Sequence, residues 1–171
     1  MALALSLGLF ALIIGLIVWL FVWRGRVDRG LGNFIQDSGF ERVAVVPEAA
    51  TQAFGRHTRA FRARIVSGEG VVQFLWLDGS STSTVGSDTT LHIYHGIVLA
   101  PEDADFRVES RCREAMEKTS PLRDFFVFNT ERPIAVERLA DRSLLVKWRG
   151  LDRADVYRKK MDFLSAVLRG S

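Results

Sequence analysis

One stretch constrains this chain more than any other. Residues 2–23 read ALALSLGLFALIIGLIVWLFVW, with no charge, no proline and one serine. At ~1.5 Å per residue the run makes a helix of roughly 33 Å, enough for a hydrocarbon core of ~30 Å. The expectation is a single transmembrane helix over residues 1–24. A signal peptide would need a positive start, an apolar core of about 7–15 residues and a small-residue cleavage site. Only Met1 precedes this run, and Trp23-Arg24-Gly25-Arg26 stands where such a site would lie. A retained anchor is therefore expected.

The flanks give the span a direction. Arg24, Arg26 and Arg29 follow it directly, with Asp28 the one nearby acid. The positive-inside rule places the following residues in the cytoplasm and the amino terminus outside. Trp19, Phe21 and Trp23 cluster at the same end, where amphipathic rings favour the headgroup level. The single cysteine, Cys112, agrees with a reducing compartment. Ala4, Gly8, Ala11 and Gly15 fall at spacings of 4, 3 and 4, on one helix face. Small-residue stripes let helices approach closely, so this face is the candidate for pairing with itself or with another membrane protein.

The remaining residues read as a juxtamembrane helix over 25–39 and one folded domain over 40–171, long enough for a core of its own. All 23 Lys and Arg and all 20 Asp and Glu of the chain lie after residue 23, for a net charge of +3. The basic residues are scattered among acids, which is not the footprint of a nucleic-acid binder. The arginines after the anchor need only anionic lipid headgroups as partners.

Along this domain, Leu31, Phe34 and Ile35 continue a helix that Gly39 closes. Residues 40–46 read as a short strand. Pro47 opens a helical turn with Ala50, Ala53 and Phe54, ended by Gly55. An antiparallel meander follows over 61–66, 71–77 and 89–99, with residues 78–88 read as a polar loop. Residues 106–109 read as a strand, with Ser110 capping a short helix that holds Cys112. Ser120-Pro121 starts another helix. Residues 133–139 and 143–148 form a hairpin, and Asp152 caps a last helix with an apolar stripe that includes Val156, Tyr157, Met161 and Leu164. The expected fold is α+β: an antiparallel sheet with helices packed mainly on one face.

This order resembles a group of uncharacterised single-pass, membrane-anchored bacterial proteins. The residues that carry the likeness are Ser38-Gly39-Phe40, residues 61–66, residues 71–77, Phe106-Arg107-Val108-Glu109-Ser110 and residues 143–148. The resemblance implies an architecture and no chemistry.

No catalytic, cofactor-binding or metal-binding motif stands out. His92 and His95 lie three apart on a strand, so they face opposite sides and cannot share a metal. The hydroxyl-rich residues 79–87 lack the Gly-Lys-Ser/Thr of a phosphate-binding loop. Arg62 and Arg64 share a strand face, and with His92 and Tyr94 they are the candidates for contact with a ligand or partner. The functional expectation is a non-enzymatic accessory or scaffold protein within a membrane assembly. The alternative is a membrane-tethered domain that binds a small ligand or a lipid headgroup.

Overall fold

The computed structural model describes residues 2–55, 57–67, 70–116, 132–149 and 154–170. The helix expected at Ser120-Pro121 and the cap expected at Asp152 lie outside them. The described residues form an α+β fold with a six-stranded antiparallel open sheet. The strands are β1 (Glu41–Arg42), β2 (His57–Ser67), β3 (Gly70–Val85), β4 (Asp88–Leu99), β5 (Ala135–Arg138) and β6 (Leu144–Arg149), in the spatial order β1-β2-β3-β4-β6-β5.

Four helices are described: α1 (Ala2–Asp37), α2 (Glu48–Phe54), α3 (Phe106–Ala115) and α4 (Ala154–Arg169). One core joins α1, α3 and α4 to a single sheet face. Phe34, Val108, Cys112, Tyr157 and Leu164 there meet Phe61, Trp76, Ile97, Val146 and Trp148. The other face is covered by α2, whose Ala50 and Phe54 meet Ala60, Leu77, Val98 and Leu145. Phe54 can lie this close because β4 offers Gly96. A Cβ on that residue would stand 2.6 Å from the Phe54 ring.

α1 is one unbroken helix through Gly25 and Gly30, closed by Gly39 at φ +64°. Its last turns dock through Phe34, which is 2 % exposed. Earlier, at 8–22, every described side chain is exposed, from Leu9 through Phe21 to Val22. Among the described residues, no helix is long and apolar enough to cross a membrane. The apolar part of α1 whose side chains are described, residues 8–22, is shorter than the ~20 residues a crossing needs.

Three local expectations are corrected. Residues 78–88 are not a loop: β3 runs on to Val85 and pairs with β4 down to Val85 opposite Asp88. The turn is Gly86-Ser87, with Gly86 at φ +64°. Among the described residues β2 accompanies β3 to Gly79 and β6 accompanies β4 from Tyr94, so residues 80–93 extend as a two-stranded ribbon. Threonines suit such strands, but the serines and threonines of residues 80–84 show no apolar alternation to mark one.

Residues 106–109 are helix, not strand, and the cap is Asp105 rather than Ser110. The Asp105 carboxylate accepts from the Val108 amide at 2.7 Å. Val108 and Cys112, four apart, are the buried side of that helix. The strand expected over 40–46 shrinks to β1, whose two residues pair with Phe61 and Arg62.

Candidate functional site

The sheet register assembles a polar row that no short motif announces. Arg59 on β2 lies opposite Asp78 on β3, and Asp78 lies opposite His95 on β4. The β2–β3 register shifts between His57 and Arg59, an irregularity of the kind that re-aims side chains. Arg59 grips one Asp78 oxygen, through Nε at 2.9 Å and through its terminal nitrogen at 2.6 Å. The other oxygen lies 3.4 Å from His95 Nδ1. His95 Nε2 meets the Tyr157 hydroxyl of α4 at 3.1 Å. Nε2 lies within hydrogen-bond reach of the phenol, whereas the buried Nδ1 approaches the carboxylate without making a hydrogen bond of ordinary geometry.

This row is closed in. His95 and Tyr157 are fully buried and Asp78 is nearly so, while Arg59 is the partly exposed end. Tyr157 stacks on Phe34 at 5.4 Å and stands edge-on to Trp76 at 5.6 Å. The buried Lys160 ammonium lies 5.3 Å from the Tyr157 ring and 5.9 Å from that of Trp148. Burial pushes the Asp78 carboxyl up, but His95 and the Arg59 guanidinium beside it outweigh burial and hold the group below its ordinary 3.8.

A carboxylate, imidazole and phenol in line can serve as a general base where substrate reaches it. Neither of the two cavities described below is lined by these residues. What the row does in this fold is tie β2 to β3 and β4 to α4 by hydrogen bonds, with the Asp78–His95 ion-pair contact between them.

The candidates read from the sequence divide into separate places. Arg62, Arg64 and Tyr94 occupy the α2 face of the sheet, but α2 comes between them, with Phe54 seated on Gly96. Tyr94 carries the Lys147 ammonium 4.3 Å from its ring centre. Lys147 also lies 3.5 Å from the Phe54 carbonyl oxygen, and burial lowers its pKa despite Glu137 nearby. Arg62 and Arg64 are exposed. His92 pairs with Ser81 in the ribbon, away from both. His95, expected on a half-exposed strand, is instead the buried centre of the polar row.

Trp19 and Arg29 lie exposed on α1, and Trp23, Arg24 and Arg26 are part of the same helix. Arg29 Nε donates to the Gly25 carbonyl at 3.0 Å. Of the small-residue stripe, Ala4, Gly8, Ala11 and Gly15 all fall within α1, and a Cβ at Gly8 or Gly15 would meet nothing. Cys112 is fully buried, and burial together with Glu109 pushes its thiol up to about 11. Among the described residues no group of acids, histidines and cysteine could hold a metal ion.

Two open cavities are described. One, of about 330 Å³, lies along α3 between Phe106 and Glu114. The other, of about 350 Å³, lies on the α2 face and includes Arg62. Comparison of the chain with protein-family models, with curated proteins and with solved structures finds no match.

Proposed function

We propose that this protein is a single-pass, membrane-anchored accessory or scaffold subunit, with the domain after α1 facing the cytoplasm. The observation that carries the reading is the first half of α1. Large apolar side chains at successive positions, among them Leu12, Ile13, Ile14, Leu16 and Ile17, are exposed in every direction around the helix. A helix that is apolar all round belongs in a protein core or in lipid, and none of the described elements buries these side chains. The uncharged run continues on both sides of the described positions, over 2–23, inside the same helix. The arginines at 24, 26 and 29 then assign the cytoplasmic end.

A role in assembly rather than catalysis draws support from the closure of the acid–imidazole–phenol row among the described residues. The open small-residue stripe offers a face for another span or a second copy. Two measurements test the reading. The full chain should stay in the membrane fraction through alkaline extraction; release into the supernatant would refute the anchor. A cysteine placed at Ser171 should react with an impermeant maleimide only after the cells are permeabilised; labelling in intact cells would reverse the orientation. For the assembly, a specific membrane protein or a second copy should co-purify in mild detergent. Replacing Gly8 and Gly15 with Ile should weaken that association.

A further inference from the structure

The helix α2 is short, and it leaves part of its own sheet face uncovered. The groove of about 350 Å³ lies there. Its floor includes Leu75 and Val98, which stand directly opposite each other on β3 and β4. The segment leading into α2 supplies one wall through Val43, Val45 and Pro47. Val45 is 80 % exposed at the rim. Arg62 faces Leu75 from β2, and Arg64 follows on the same face. The opposite wall carries Asp141 and Ser143. Asp141 is already engaged, since it accepts from the Ser143 amide at 3.0 Å and from its hydroxyl at 2.5 Å.

We propose that this groove binds a single-chain anionic amphiphile, a long-chain fatty acid. Its chain would lie over Leu75 and Val98 against Val43, Val45 and Pro47, with its carboxylate at Arg62. A mostly apolar concavity of this size with one convergent cation is the usual form of a small-ligand site. A guanidinium fits a carboxylate through two parallel donors. Glu41, opposite Arg62 on β1, competes for that guanidinium. Arg64 adds a second cation, so positive charge is in excess at this end. Asp141 at the far wall repels a carboxylate, and the two walls together set the ligand's direction. The site does not depend on α1 crossing a membrane.

The test uses the full chain in nanodiscs of zwitterionic phosphatidylcholine. The probe is hexadecanoic acid with a diazirine in its chain, and the labelled peptides are mapped by mass spectrometry. Label should concentrate on the peptides holding residues 43–47 and 75. Arg62→Glu, and separately the methyl ester of the probe on the unaltered protein, should each reduce that label by roughly five- to tenfold, the scale of one charge-assisted contact. Arg62 is exposed, and near-UV circular dichroism of the variant checks its fold. If the variant misfolds, the ester still decides. Label elsewhere, or equal label from acid and ester, would overturn the inference. So would a photoreactive side chain at position 45 that captures a polypeptide and no lipid in native membranes.

Discussion

Asp78 gains its stability contribution from partners rather than from position. Its carboxyl sits lower when folded than when unfolded, so it stabilises the fold at pH above about 4 and loses that contribution as pH falls through the folded value. The midpoint of urea unfolding should therefore drop on acidification. Asp78→Asn should flatten that part of the profile and cost about 1–3 kcal/mol at neutral pH. The figure is below that for a wholly buried pair because Arg59 is 37 % exposed. Gly96→Ala drives a methyl into the Phe54 ring and should cost about 1–3 kcal/mol. Adding Phe54→Leu should recover part of that loss, seen as a coupling in a double-mutant cycle. Cys112, buried and with its thiol raised to about 11, should ignore a disulfide reagent in the folded protein and react once urea unfolds it.

At the level of elements, local chemistry made some pieces readable in advance. Pro47 and Gly55 bracket α2, Gly39 ends α1 with a positive φ, and alternation marks β2 and β6. The ribbon at 80–93 was hidden because its order comes from backbone pairing, while its serines and threonines read as loop. α3 was hidden because Phe106-Arg107-Val108-Glu109 alternates like a strand, and only the Asp105 cap reveals a helix start. Asp105→Ala should lower stability by about 1 kcal/mol in thermal unfolding, whereas Ser110→Ala should cost far less. The polar row was not readable at all. Tyr157 lies within an apolar helical stripe, and Asp78 follows directly on the apolar run of residues 71–77. Only the register of β2, β3 and β4 makes neighbours of residues 59, 78 and 95, far apart along the chain. Arg62 was legible as a basic strand face, but its groove depends on the extent of α2, which propensity alone does not set.

For the whole molecule, the arrangement ties the outermost element to the centre. Phe34 of α1 stacks on Tyr157, Tyr157 meets His95, and His95 leads to Asp78 and Arg59. The same α1 runs unbroken from the exposed apolar residues to that anchorage. If it crosses a membrane as proposed, the azimuth of the domain is keyed to the span, because each residue turns a helix by about 100°. A one-residue deletion between Val22 and Phe34 would swing the sheet by that angle about the membrane normal, and a seven-residue insertion would nearly return it. Which surface greets a neighbouring membrane protein is thus a matter of helical phase, written in the residue count between lipid and core.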